Sequence, residues 1–205
     1  MSRANTLIFI DTCSLLDSCW DCRGRASGTR AEYRPAKEHT FWDAVLPSLT
    51  AVGEVIVTAR NYEELSRLSR VSSDKDRPML AQRCARVLKL LHPLIESGSV
   101  SIVGDKNDPF ADAILLSAAL KFRTQKNLLF ITQDRALASD LVALAGFASV
   151  RPRDFEMKVR RLGSDGDIEA WRFPERGRGE DPKRSSFPQA PRPGEPPQAS
   201  SEWWR

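Results

Sequence analysis

The chain has 205 residues, of which 41% are hydrophobic and 28% are charged, and its formal net charge is +4. This length suits one domain of ordinary size with an appendage, and the composition is typical of a globular protein. There is no apolar run close to the roughly 18–20 residues of a membrane span and no signal-peptide pattern, so we expect a cytoplasmic protein.

The chain begins with a strand that ends on an acid. The apolar run 7–10 predicts a buried strand, Asp11 follows it directly, and a helix is expected near Leu15. Residues 18–38 contain glycines and Pro35, which break regular structure, so we interpret this segment as a long basic insertion in a loop.

Helices and strands alternate over the rest of the first 150 residues. Apolar residues at helical spacing predict helices at 41–49, 62–70, 78–96, 109–122 and 135–145. Runs rich in β-branched and other apolar residues predict strands at 54–58, 100–103, 128–132 and 148–150. Because helix 109–122 is apolar nearly all round, we expect it to be buried.

This alternation predicts an α/β fold, a three-layer α/β/α sandwich with a central parallel sheet. We place the main domain at 1–155, including the insertion 18–38, and a short C-terminal extension at 156–170. Residues 171–205 are rich in proline and arginine and poor in aliphatic side chains, so we predict a disordered tail. Trp203 and Trp204 at its end are candidates for docking, on the domain or on a partner.

Acidic residues recur where such a fold gathers strand ends and helix starts. Asp11 and Asp134 follow two strands, Asp112 lies in the first turns of helix 109–122, and Glu64 lies in helix 62–70. Ligand sites of parallel sheets lie at the carboxyl ends of the strands. Carboxylates gathered there repel one another unless a cation neutralises them, and oxygen ligands suit Mg²⁺ or Mn²⁺. Two such ions can activate water and stabilise the leaving oxygen of a phosphodiester.

Each acid also has a purely structural interpretation. Asp11 and Asp134 are able to cap the helices that follow them, and Asp112 is able to complement a helix dipole. Asp108 precedes Pro109, the usual arrangement of an N-cap followed by a proline in the first turn.

Glutamates 63 and 64 compete for the same role. Glu63 has Arg67 four residues on, as in a surface ion pair, whereas Glu64 borders the apolar face of its helix. We therefore choose Glu64.

Two groups of basic residues are candidates for binding a nucleic-acid backbone, although solvated protein faces often have the same composition. The group in the insertion is Arg23, Arg25, Arg30, Arg34 and Lys37. The later group is Arg67, Arg70, Lys75, Arg77, Arg83, Arg86 and Lys89. Cys19 and Cys22 form a lone C-x2-C pair, for which we prefer reduced thiols to a zinc site completed by Cys13 or His39.

Four segments resemble, in order, the four acidic motifs of PIN-domain nucleases: LIFIDTCSLLD, EVIVTARNYEELSRL, NDPFADAILLSAAL and LLFITQDRALASDL. The resemblance covers about residues 5–150. It implies a parallel α/β/α sandwich whose acids cluster at the carboxyl edge of the sheet and bind Mg²⁺ or Mn²⁺. Cys13 stands where serine or asparagine is common in the family.

Carried over by motif, the resemblance implies catalytic and metal-binding roles for Asp11, Glu64, Asp112 and Asp134. Thr132 and Asp108 are accessory candidates; Thr132 would orient ligands or waters. For RNA binding we name Arg23, Arg25, Arg67 and Arg70.

We therefore expect a metal-dependent endonuclease that cleaves single-stranded RNA, with DNA as the other candidate substrate. A metal-activated water would attack the phosphodiester, and the resemblance implies products with 5′-phosphate and 3′-hydroxyl ends. The alternatives are an inactive PIN-like nucleic-acid-binding or scaffolding module and the toxin of a toxin–antitoxin pair. The insertion and the tail both argue against a simple toxin. A homodimer and a regulatory protein bound through the C-terminal tail complete the expected partners.

Overall fold

The computed structural model describes residues 5–21, 32–70, 78–107, 110–146 and 155–173. The strands are β1 Thr6–Ile10, β2 Trp20–Asp21, β3 Glu32–Tyr33, β4 Glu54–Thr58, β5 Val100–Val103, β6 Asn127–Ile131, β7 Met157–Leu162 and β8 Ile168–Ala170. The helices are α1 Thr12–Asp17, α2 Pro35–His39, a π-helical segment Thr40–Val45, α3 Leu46–Val52, α4 Ala59–Arg70, α5 Pro78–Glu96, α6 Ala111–Phe122 and α7 Arg135–Gly146.

Six of the described strands form one sheet in the order β5-β4-β1-β6-β7-β8. Neighbours from β5 to β7 pair in parallel, and β8 pairs antiparallel with β7. The chain runs outward from β1 through β4 to β5 and then returns to β6, so the strand order reverses between β1 and β6. A mostly parallel sheet flanked by helices confirms the predicted α/β fold, and the reversal marks the crevice where such folds bind ligands.

Side chains of the central strands alternate between two apolar faces, as expected for strands covered on both sides. On one face, Ile8 and Val55 join a core cluster with Leu15 of α1, Leu65 of α4 and Leu91 of α5. On the other face, the Phe9 ring stacks on the Phe130 ring with 5.0 Å between centroids. Helix α6 contributes three residues to a cavity on that second face, Ile114, Ala118 and Phe122. Helices therefore cover both faces.

Helix α6 is a surface helix, and the expectation of a buried one is wrong. Leu115 and Ala119 are its buried residues, whereas Leu120 is 52% exposed. In an outer layer only one side of a helix rests on the sheet, so an apolar composition does not by itself bury the rest.

The segment 18–38 is more ordered than the predicted loop in the part that the structure describes. Strands β2 and β3 pair as a short antiparallel ladder, and α2 begins at Pro35. A proline is favoured in the first turn of a helix, where its missing N–H has no intrahelical partner. Pro35 therefore begins a helix, and the expectation of a loop at this position is wrong.

Residues beyond 155 extend the same sheet. β7 lies beside β6, with Phe130 opposite Val159, and β8 returns beside β7. Gly166 in the intervening turn has a φ of 96°, a conformation that favours glycine. By internal contacts the chain divides into Met1–Trp171 and Arg172–Arg205, and the sheet belongs to the first unit. Of the second unit, the structure describes Arg172 and Phe173.

Some of the predictions fall on residues outside the described ranges. They are the strand at 148–150, the C-terminal tail beyond residue 173 with its two tryptophans, Asp108, Cys22, Arg23, Arg25, Arg30, Lys75 and Arg77. In the described part of the chain, no helix has the length and apolarity needed to cross a membrane.

Candidate functional site

Asp11 lies at the carboxyl end of β1, where β1 meets β6. Its backbone N–H donates to the Ile131 carbonyl at 3.0 Å, and the residue is 5% exposed. Although α1 begins at the next residue, the Asp11 carboxylate makes no capping hydrogen bond. Its Oδ2 instead accepts a hydrogen bond of 3.0 Å from the Thr132 hydroxyl. The interpretation of Asp11 as a helix cap is therefore wrong.

Asp134, at the end of β6, does cap a helix. Its Oδ1 accepts from the N–H groups of Ala136 and Leu137 at 2.7 and 3.0 Å, in the first turn of α7. Its own N–H donates to the Thr132 hydroxyl at 3.0 Å. Since that hydroxyl also donates to Asp11, Thr132 links the two acids across the reversal of the strand order. The capping interpretation holds for Asp134, and its Oδ2 lies outside those capping bonds.

Glu64 and Asp112 approach the same place from two helices. Glu64 is half-buried in α4, and Asp112 is exposed in the first turn of α6. Partial desolvation raises the pKa of Asp112, and the charges of Asp134 and Glu64, and then of Asp140, raise it further. Glu64 therefore lies close enough to Asp112 for the two charges to repel each other. Glu63 and Arg67 form no ion pair with each other, although both are described. We call the group Asp11, Glu64, Asp112 and Asp134 the acidic edge.

The acidic edge is short of positive charge around Asp11. Burial raises the pKa of Asp11 to about 6; hydrogen bonds from Thr132 and the Thr12 backbone lower it, while the charges of Asp112 and Asp134 raise it. None of these contributions comes from a lysine or arginine of the described ranges. The carboxylate thus lies in an environment that disfavours its ionised form unless a cation is supplied.

The Cys13 thiol interacts electrostatically with all four acids. The pKa of this thiol is raised to about 12. Desolvation by the surrounding protein is the largest cause, and the negative charges of the four acids also raise it: Asp11, Asp134, Glu64 and Asp112. A thiol held protonated in this way is a poor nucleophile and a poor metal ligand. Cys13 therefore marks the place where the negative fields of the acidic edge overlap.

The side chains of the acidic edge have the right chemistry for a metal ion but not the geometry of a formed metal site. Four carboxylates without a described counter-charge are the oxygen donors that Mg²⁺ and Mn²⁺ prefer. However, nowhere in the described ranges do three or more His, Cys, Asp or Glu side chains form a group that could hold a metal ion. The donor chemistry fits a hard cation, and the acids as placed are not gathered around one point.

A second buried acid, which the sequence did not reveal as important, lies at the end of α1. Asp17 Oδ2 accepts hydrogen bonds of 2.8 Å from Lys37 Nζ and from Gln133 Nε2. Gln133 Nε2 also donates to the Leu162 carbonyl at 3.1 Å. Because Gln133 lies between Thr132 and Asp134, this network holds the β6–α7 loop that carries two residues of the site.

From the sequence, Lys37 is expected among the basic residues of a loop that could bind a nucleic-acid backbone, and this expectation is wrong. Its side chain is 1% exposed and is paired with Asp17 inside the protein. The signal available from sequence was only a lysine three residues into a helix that begins with proline, which does not predict a partner twenty residues earlier.

Further polar groups near α1 and α4 are buried without a described hydrogen-bond partner: the Thr12 and Ser14 hydroxyls and the Asn61 side-chain amide. Asn61 is fully buried near the start of α4, three residues before Glu64. Trp171 Nε1 donates to the Thr132 carbonyl at 3.2 Å and so supports the same loop from the C-terminal side. None of these residues stands out in the sequence.

No family model matches this chain, and no curated protein matches its sequence. The resemblance to PIN-domain nucleases thus depends on the four quoted motifs.

Proposed function

We propose that the chain is a metal-dependent endonuclease that acts on single-stranded RNA. The observation that carries the proposal is Asp11: a buried carboxylate at the strand-order reversal, with other acids acting on it and no described cation beside it. Buried charges in proteins are paired or bind metals, so the missing charge is expected from a bound ion.

The residues of the chain would divide the work as follows. Thr132 orients the Asp11 carboxylate, and Asp134 is held by its cap with Oδ2 outside the bonds to the helix N–H groups. Glu64 and Asp112 lie on more exposed elements, so their side chains are the ones that would move to complete a metal site. When bound there, Mg²⁺ or Mn²⁺ would neutralise the acids, activate water and stabilise the leaving oxygen of a phosphodiester.

The PIN-like motif order supports RNA as the substrate, since most characterised members of that family cut single-stranded RNA. One observation favours a second candidate, a non-catalytic nucleic-acid-binding or scaffolding module: the acids of the described structure are not gathered into a metal-binding group.

The test incubates the purified protein with single-stranded RNA, single-stranded DNA and duplexes, in Mn²⁺ or in EDTA. Asp11→Asn, Asp112→Asn and Glu64→Gln are compared with Glu63→Gln, a matched control one residue away on the same helix. We expect cleavage of single-stranded RNA by the wild type and Glu63→Gln in Mn²⁺, and loss of cleavage in EDTA and in the other variants.

Cleavage that persists in EDTA or in Asp11→Asn would overturn the metal mechanism. If nothing is cleaved and Mn²⁺ leaves the melting temperature unchanged, the non-catalytic module is favoured.

A further inference from the structure

An open groove of about 560 Å³ lies between α4 and α5, outside the acidic edge. Its polar lining comes from one side of each helix: Tyr62, Ser66, Ser69, Arg70, Lys89 and His92. The positions on α4 are spaced by three and four residues, so they share one face, and the same holds on α5. The lining contains three basic side chains and no carboxylate.

This groove holds two described members of the later basic group that make no ion pair with a described residue, and a third, Arg67, lies outside it. Arg86 is paired with Glu38, and the Arg83 guanidinium lies 5.6 Å from the Trp20 ring centroid. Arg70 and Lys89 make no ion pair with a described residue. His92 has a carboxylate near it, with Nδ1 3.4 Å from Glu96 in an exposed pair.

The groove and the acidic edge share helix α4. Glu64 acts on Asp112 and Cys13, and Arg70 follows it by six residues, about 9 Å along a helix axis. The acidic edge alone would repel a polyanion, so a substrate strand needs basic contacts elsewhere on the protein. Arg70 lies about one and two-thirds helical turns beyond Glu64 and therefore on another side of α4, and its guanidinium is suited to bidentate phosphate binding.

We infer that the α4–α5 groove binds the phosphodiester backbone of single-stranded RNA. The assignment of RNA rests on the proposed function. Arg70 and Lys89 contact phosphates, and the Ser66 and Ser69 hydroxyls line the same groove. Arg67 is exposed on α4 but does not line the groove, and so it is not part of this binding surface.

The test measures binding without cleavage. Fluorescence anisotropy of a labelled single-stranded RNA is recorded in EDTA at several salt concentrations, for the wild type and for Arg70→Ala/Lys89→Ala. We expect the affinity of the double variant to fall at least tenfold. The slope of log affinity against log salt should fall by roughly 1.4, about 0.7 for each phosphate that the variant no longer neutralises. Arg70→Lys/Lys89→Arg should keep most of the affinity.

The matched control is Lys121→Ala/Lys158→Ala, which removes two exposed lysines from α6 and β7 and makes the same change of net charge. Melting temperatures check that every variant is folded. If the control loses as much affinity as the groove variant, binding follows net charge and the groove assignment is wrong. Unchanged binding by the groove variant, or no binding by the wild type, also overturns it.

The two proposals fail in different ways. If RNA binding depends on the groove but nothing is cleaved in Mn²⁺, the nuclease proposal is wrong and the groove assignment stands. If RNA is cleaved and the groove substitutions change neither binding nor cleavage, the groove assignment is wrong and the nuclease proposal stands.

Discussion

Two buried aspartates lie at the two ends of helix α1, and they differ in whether a positively charged side chain is bound to them. Asp11 precedes the helix and Asp17 ends it, and each is 5% exposed. Asp17 receives hydrogen bonds from the Lys37 ammonium and the Gln133 amide. Among the described residues, Asp11 receives hydrogen bonds only from neutral donors, the Thr132 hydroxyl and the Thr12 backbone, and two further acids act on it.

The difference separates a structural acid from a candidate functional one. A buried charge is tolerated when the fold supplies its partner, which is the situation of Asp17. Asp11 is held in place without that compensation from any residue that the structure describes. Burial alone does not distinguish the two residues; their partners do.

Removing the partner of Asp17 should have the largest effect on stability. Lys37→Met leaves a buried carboxylate uncompensated, so we expect a loss of about 3–5 kcal/mol in the free energy of unfolding. Urea denaturation at pH 7 measures it. The double variant Asp17→Leu/Lys37→Met removes both charges and should recover most of the loss; an equally unstable double variant would contradict an electrostatic cause.

Neutralising Asp11 should raise the free energy of unfolding rather than lower it. Its folded pKa of about 6 exceeds the ordinary 3.8, so the native state binds the proton more tightly. The associated stabilisation is present below about pH 4 and is lost as pH rises to about 6. Asp11→Asn without metal should therefore be more stable at pH 7 by up to about 3 kcal/mol, and less so at pH 4.

Denaturation curves across pH 4–7 test this, with the exposed Asp165→Asn as control. Adding Mn²⁺ should stabilise the wild type and not Asp11→Asn. An Asp11→Asn variant that is less stable than the wild type at pH 7 would mean that Asp11 is a satisfied structural acid like Asp17.

Thr132→Val should cost about 2 kcal/mol, because it removes the donor to Asp11 and the acceptor of the Asp134 N–H. The loss of the donor should also raise the pKa of Asp11 further, which NMR titration of its carboxyl carbon would detect. Thr132→Ser keeps the hydroxyl and should restore both properties, whereas a merely spatial role for Thr132 would leave the pKa unchanged in the valine variant.

Substitution of Asp134 should have the smallest effect on stability, because the contribution of this residue to folding is a helix cap. Asp134→Ala removes the cap of α7 and should cost about 1 kcal/mol, whereas Asp134→Asn can keep the cap and should be nearly neutral. Both should lose RNA cleavage if the carboxylate charge is needed. Thermal melts and cleavage assays on the same samples separate the two roles, and full cleavage by Asp134→Asn would assign Asp134 to structure alone.

The part of the site that could be predicted lies at strand ends. Asp11 and Asp134 follow apolar runs whose local pattern marks them as strands, and parallel strands end at a common edge. The environment of Asp112 could not be predicted in this way, because its flanking apolar residues suggested burial and the helix lies on the surface. Likewise, the partners of Lys37 depend on how α2 packs against α1.

By itself, the amino-acid sequence determined the order of strands and helices and the positions of the acids along them, because hydrophobic periodicity is a local property. The tertiary structure decided which charges are compensated. Lys37 reaches Asp17 across 20 positions, and Thr132 reaches Asp11 across 121. Burial and charge pairing are long-range consequences of packing, so two aspartates six residues apart acquire different chemistry only in the folded chain.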